Sequence, residues 1–301
     1  MSFIEATSWS GVEVAHGRYR VDLRIHAGGM GEVYRGFDRN LDRDVIIKVP
    51  VVRYSTGDFA ARFQREIKSL IRLSHPHIVK VLDCGERGGI PFAVMQYLPG
   101  GNLEERLLAK KPGHAQQFLK KWLLPICDAL DFVHREGCVH RDVKPSNILF
   151  DVEDHAYLSD FGVVRVLANE QIEILRKGLT KSGDIFGTPK FMAPEMVLGH
   201  EYSGAVDQYA LGVILYEVFC CRAPFDAPSP TALLLAHVRE MPPAPTAIAS
   251  SVSESVSAII MRALAKDPRA RFPTCMSLAT EMFAALDGAP LHSHASAAAI
   301  Q

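Results

Sequence analysis

The stretch His140-Arg141-Asp142-Val143-Lys144-Pro145-Ser146-Asn147, followed by Asp160-Phe161-Gly162, decides how this chain is read. It has the form H-R-D-x-K-x-x-N and then D-F-G, with Asp142 and Asp160 eighteen positions apart. Eight specified residue types at set offsets meet by chance with a frequency on the order of 10⁻¹⁰ per starting position. The pattern therefore anchors the reading of the segments on either side.

Upstream, Gly17 to Val21 begins a strand pattern, Gly28-Gly29-Met30-Gly31 marks a tight turn, and Glu32 to Phe37 continues as a second strand. Val45 to Val49 is a short apolar run that predicts a third strand, ended by Pro50. Phe63, Ile67, Leu70 and Ile71 recur at helical spacing, and two further strands are expected near Val79 to Asp83 and Pro91 to Tyr97. Helical patterns dominate after Gly100-Gly101: Phe118, Trp122, Ile126, Leu130 and Val133 form an apolar stripe that Gly137 terminates. More helices are expected near 204–221, 230–240, 253–265 and 275–287. A strand-rich first third and a helix-rich remainder predict an α+β chain in two lobes. We divide it into an extension (1–17), a domain (18–287) with a small lobe over about 18–97, a hinge near 96–101 and a large lobe over about 102–287, and a disordered tail (288–301).

The composition excludes several classes. Of 301 residues, 48% are hydrophobic, enough for a sizeable core. With 33 basic against 34 acidic side chains there is no global field to attract nucleic acid or an anionic membrane. The 6 cysteines contain no C-x-x-C pair and read as free thiols in a reducing compartment. Adjacent Cys220 and Cys221 read as packed thiols, and His75 and His77 lack a third ligand at useful spacing for a metal. The N-terminus has no signal-peptide pattern, and the longest apolar run, Ala210 to Cys221, is interrupted by Glu217 and too short to span a bilayer. The expectation is a cytoplasmic protein.

Taken together, the H-R-D-x-K-x-x-N and D-F-G motifs, the glycine-rich turn and the later Ala193-Pro194-Glu195 resemble the eukaryotic-like serine/threonine protein kinases of bacterial type, over about residues 18 to 287. The resemblance implies a bilobal kinase fold and transfer of the γ-phosphoryl of ATP, with Mg2+, to Ser/Thr hydroxyls of protein substrates. Such transfer needs positioning and charge neutralisation more than covalent help. The turn Ala27, Gly28, Gly29, Gly31 and Val33 would cover the phosphates, since glycines let backbone N–H groups approach phosphate oxygens. Its first glycine position is His26 here. Lys48 would bind the α- and β-phosphates, held by Glu66 eighteen positions later. Ile46 stands where the family has a small residue over the adenine, which narrows the pocket. Val33, Ile46 and Leu149 would sandwich the base, with backbone groups of Gln96 to Leu98 hydrogen-bonding it and Met95 limiting depth. Asn147 and Asp160 would coordinate magnesium through hard oxygen atoms. Asp142 would orient the acceptor hydroxyl and take its proton, and Lys144 would steady the transferring group.

The resemblance extends to substrate docking and control. Phe186 to Glu195 is similar to the segment that receives the acceptor peptide, with Thr188 expected near Asp142 and Lys144. Glu195 and Arg271 resemble a buried ion pair, and Asp207 a brace beneath the catalytic loop. Arg141 would pair with a phosphate on Thr180 or Ser182 in the long polar stretch between Gly162 and Phe186. A transient homodimer would serve autophosphorylation. Two other classes compete with this reading: a pseudokinase scaffold, for which His26 and Ile46 are the only support, and a kinase of small molecules, which the peptide-docking segment disfavours.

Overall fold

A computed structural model of the chain describes residues 8–28, 31–50, 67, 74–108, 114–160 and 188–288. The chain divides into two units: Met1–Glu105 with Ser146–Gly187, and Arg106–Pro145 with Thr188–Gln301.

The first unit is built on a six-stranded antiparallel sheet. Its strands are β1 (Glu13–Val14), β2 (Tyr19–Gly28), β3 (Gly31–Asp38), β4 (Arg43–Pro50), β5 (Val81–Arg87) and β6 (Ile90–Gln96), in the spatial order β1-β2-β3-β4-β6-β5. Strand β4 shows how sequence becomes architecture. Successive side chains point to opposite faces, and Val45, Ile47 and Val49 enter one core with Tyr19, Val21, Tyr34, Phe92 and Val94. On the other face Ile46 joins Val79, Val81, Met95, Leu98, Leu149 and Tyr157 in a second apolar cluster. A small hairpin, β7 (Ile148–Phe150) with β8 (Ala156–Leu158), is stitched to this second face. Val79 N–H donates to the Leu158 carbonyl, Leu158 N–H to His77, and Gly100 N–H to Phe150.

Residues 8–17 are integral to the sheet. β1 pairs with β2, Trp9 and Val14 are buried in the main core, and the Trp9 amide donates to the Tyr34 hydroxyl at 3.3 Å. The large apolar Trp9 gains more by covering the sheet face than by staying in water. Nearby, Asp38 is fully buried under a two-pronged grip by Arg18 (3.1 and 3.0 Å), which holds its carboxyl below the usual range against the cost of burial.

The second unit is helical. Helix α1 (Leu103–Leu108) spans the boundary in the chain, and α2 (His114–Arg135), α3 (Pro194–Val197), α4 (Ala205–Cys220), α5 (Pro230–Arg239), α6 (Pro245–Ile248), α7 (Glu254–Ala263) and α8 (Cys275–Leu286) follow. Nearly every residue of α4 is buried, so it is the axis on which the others pack. The stripe Phe118, Trp122, Ile126, Leu130 and Val133 is buried along α2. Ser229, Ser253 and Thr274 cap α5, α7 and α8, each accepting from the backbone N–H three positions further on. Helix α8 gains a second cap from afar: the Asp131 carboxylate accepts the Cys275 and Met276 amides at 2.8 Å each. No described helix is long and apolar enough to cross a membrane.

Candidate active site

In the first unit, the β2–β3 hairpin brings Gly28 opposite Gly31 and His26 opposite Val33, with Ala27 opposite Glu32. Gly31 sits at φ 152°, and a Cβ there would lie 2.4 Å from the Val49 carbonyl oxygen, so only glycine fits. Gly29 lies outside the described residues. Across the sheet Val33 is opposite Lys48, and Lys48 opposite Ala93.

Two elements deliver the polar groups. The chain enters β7 through a short 3-10 turn, Pro145–Asn147, whose last residue is buried. The Asn147 carbonyl accepts both the amide (2.8 Å) and the hydroxyl (3.0 Å) of Ser159, which fastens the segment before Asp160 to Asn147. Asp160 itself is left-handed, at φ 65°, a conformation that costs a non-glycine residue about 1–2 kcal/mol. Its Oδ1 is buried and forms an ion pair with the Lys48 ammonium. Glu66, the expected partner of Lys48, lies outside the described residues.

Beside these groups is the apolar cluster of Ile46, Met95, Leu98 and Leu149. Gln96 N–H is used by the Lys80 carbonyl at 2.9 Å, while the Gln96 Oε1 is buried without a partner.

In the second unit, Lys144 Nζ lies 2.8 Å from Asp142 Oδ2 and 3.3 Å from Thr188 Oγ1. Thr188 precedes a 3-10 turn, Pro189–Phe191. Asp142 is buried, and its amide donates to His140 Nδ1 at 3.3 Å. Arg141 is left-handed, at φ 71°, and its guanidinium lies over the Tyr202 ring. The strained backbone is held from below. Asp207 of α4 accepts the His140 amide (3.0 Å), the Arg141 amide (2.9 Å) and His134 Nε2 (2.7 Å). Three donors on one buried carboxylate offset its desolvation.

Glu195 and Arg271 form a buried two-pronged pair at 2.6 and 2.9 Å, and Arg271 also donates to the carbonyls of Ala205 and Ala265. Burial pushes the Cys127 and Cys275 thiols well up, and that of Cys220 to about 11, so these three offer no thiolate at neutral pH. Thr180 and Ser182 lie outside the described residues.

Sequence reasoning missed Asp131, His134 and His237, three buried or half-buried polar groups inside helices. Their partners are 144, 73 and 28 positions away, so no local pattern marks them.

The fold agrees with what comparison finds. The protein kinase domain model matches residues 19–283. The chain belongs to the protein kinase domain family. It is 34% identical to a probable serine/threonine-protein kinase of Streptomyces coelicolor over 94% of this chain and 42% of that one. It is 33% identical to the serine/threonine-protein kinase PknB of Mycobacterium tuberculosis, over 91% of this chain and 44% of the relative. Against the serine/threonine-protein kinase PrkC of Bacillus subtilis the identity is 35%, over 90% and 41%. The chain thus spans less than half the length of these relatives. Among solved structures it is similar in fold to the apo form of PpkA-294, with a TM-score of 0.72 at 23% identity, over 91% of this chain and 98% of that one.

Proposed function

We propose that this chain is a serine/threonine protein kinase that transfers the γ-phosphoryl of ATP, with Mg2+, to protein hydroxyls. The observation that carries the reading is the placement of Lys144 within reach of both the Asp142 carboxylate and the Thr188 hydroxyl. An incoming Ser or Thr hydroxyl would be oriented by Asp142, which takes its proton as the new O–P bond forms and the bond to the leaving ADP breaks. Lys144 neutralises charge on the group in transit. Five positions along the chain from Asp142, Asn147 begins the nucleotide set.

Asn147 and Asp160 are the residues we assign to magnesium. Both bring hard oxygen atoms, and the buried Asp160 Oδ1 already faces a cationic group, the Lys48 ammonium. Bound there, Mg2+ would supply charge neutralisation. Lys48, with Glu66, would hold the α- and β-phosphates. Ala27, Gly28, Gly29, Gly31 and Val33 would cover them, and Ile46, Met95, Gln96, Leu98 and Leu149 would hold the base. Thr188 would receive the acceptor segment, while Glu195, Asp207 and Arg271 support it structurally. Phosphorylation of Thr180 or Ser182, read by Arg141, would order the segment before it, through a transient homodimer. The kinase domain would occupy 18–287, in a cytoplasmic setting.

Phosphosite mass spectrometry after incubation with Mg-ATP, beside Asp160→Asn, tests this. We expect phosphate on Thr180 or Ser182 in the parent only. Absence of phosphotransfer to itself and to any Ser/Thr peptide, from folded nucleotide-binding protein, would sink the reading.

A further inference from the structure

Residues 8–14 have no part in the reading above, yet they are built into the sheet that carries the glycine-rich turn. The segment runs beside the first half of β2: Gly11 N–H donates to the Val21 carbonyl and Val21 N–H to the Val12 carbonyl, both at 2.8 Å. The Trp9 ring is buried, edge-on to Phe92 with centroids 6.1 Å apart, and the Arg87 guanidinium lies over it at 5.6 Å. Trp9 is thus held against both β2 and the β5–β6 pair.

The two halves of β2 differ. Tyr19 and Val21 are buried, whereas Leu23 to Gly28 are all exposed. The ladder to β3 also slips twice, between Val21 and Leu23 and between Arg24 and His26. Strand β3, by contrast, pairs with β4 without a break from Gly31 to Asp38. The β2 side of the turn is therefore the looser side. Beyond its ladder, Arg24 ties it to β3 by donating from Nη1 to Glu32 Oε1 at 2.8 Å.

The other Glu32 oxygen leads back to Trp9. Glu32 Oε2 accepts the Tyr34 hydroxyl at 2.6 Å, and that hydroxyl accepts the Trp9 N–H at 3.3 Å. A phenol has one proton to give. Burial and the bond to Glu32 push the Tyr34 hydroxyl above its ordinary range, so the proton stays and is donated to the carboxylate. The series runs from the Trp9 amide through Tyr34 and Glu32 to Arg24. Cross-strand partners share a face of the sheet, which pairs Val33 with Lys48, Glu32 with Val49 and Tyr34 with Ile47. Ile47 and Val49 belong to the main core, so the series lies on the face opposite Lys48 and acts only through where it sets the turn. We infer that Tyr34 is a positioning residue for nucleotide binding: its hydroxyl couples residues 8–14 to the carboxylate that holds the β2 side of the glycine-rich turn. The inference rests on the kinase reading of that turn as the phosphate cover.

The test is a series of cuts in the full chain. Nucleotide Kd is measured by calorimetry with Mg2+ and the β,γ-imido analogue of ATP, and peptide KM by initial rates on an acceptor chosen from a Ser/Thr library. Tyr34→Phe keeps the buried ring and removes the hydroxyl. We expect it to weaken nucleotide binding about fivefold, the worth of a single hydrogen bond, with the peptide KM within about twofold. Arg24→Gln cuts the far end at an exposed position, and Trp9→Ala frees the near end; each should weaken binding to a similar degree. Groups acting in series do not add, so Tyr34→Phe combined with either of these should bind no worse than the weaker of its two singles. Parent Kd in Tyr34→Phe overturns the coupling, as do additive losses or a parallel rise in peptide KM. If Tyr34→Phe or Trp9→Ala does not fold, parent Kd in Arg24→Gln overturns it instead. A parent that binds the analogue yet phosphorylates no peptide overturns the kinase reading alone, because the coupling is read from Kd. A parent that binds no nucleotide overturns both.

Discussion

The two units treat their buried polar groups differently. In the helical unit the buried carboxylates are saturated: Asp131 caps α8, Asp207 takes three donors, and Glu195 is gripped by Arg271. In the sheet unit Arg18 grips the buried Asp38 in the same way, but Asp160 is paired with the Lys48 ammonium and Gln96 Oε1 is buried without a hydrogen bond. A buried polar atom without a hydrogen bond costs stability unless a ligand supplies one. The contrast teaches a division of labour. The helical unit spends its carboxylates on rigidity beneath the H-R-D segment, although Trp122 Nε1 is buried there without a hydrogen bond, and the sheet unit keeps the Lys48–Asp160 pair and Gln96 Oε1 for something that arrives.

If that division holds, changes in the helical unit should alter turnover or stability and spare nucleotide affinity. The largest effect is expected from Asp142→Asn, which removes the proton acceptor but keeps the shape. It should lower kcat by about 10²–10⁴ with the ATP KM little changed, measured by initial rates. A kcat within tenfold of the parent would deny Asp142 its role. Next is Glu195→Ala, which leaves Arg271 buried and unpaired at a cost of about 3–5 kcal/mol. Chemical denaturation reads this directly, and a loss under 1 kcal/mol would mean that the pair is not a keystone.

The third test uses pH. His237 resists protonation down to about 4 when folded, against 6.5 for the free side chain. The unfolded chain therefore takes up the proton first, so stability falls as pH drops from 6.5 to 4, by roughly 3 kcal/mol for this group. Denaturation series of the parent and His237→Asn should diverge in that window; parallel curves would show the ring is not held neutral. Fourth, Gly204→Ala would place a Cβ 2.4 Å from His134 Nδ1, on the ring that Asp207 holds. We expect a loss of about 1–3 kcal/mol.

The smallest effect belongs to the sheet unit. Ile46→Ala opens the apolar face and should lower the ATP KM by about twofold to fivefold, if Ile46 narrows the pocket. A raised ATP KM would show instead that Ile46 supports the base. Stability should fall modestly, because Ile46 is only partly buried.

Much of this molecule was legible in the chain because its signals are local. The apolar run Val45 to Val49 lies in strand β4, and helices expected near 204–221, 230–240, 253–265 and 275–287 lie at Ala205–Cys220, Pro230–Arg239, Glu254–Ala263 and Cys275–Leu286. Offsets of two and of three to four residues repeat within a few turns of chain, so periodicity and caps reveal them. The H-R-D-x-K-x-x-N spacing belongs to the same class: short offsets in one loop are already close in space.

Only the tertiary structure decided which distant groups meet. Trp9 entered the sheet core, Asp131 capped a helix that begins 144 positions later, and His237 was set between Tyr209 and Phe225. The sequence alone determined the family, the strand and helix pattern and the identity of the chemical groups. It left open the partners of each buried polar side chain, because a buried donor must find some acceptor, and which one it finds depends on how whole elements pack.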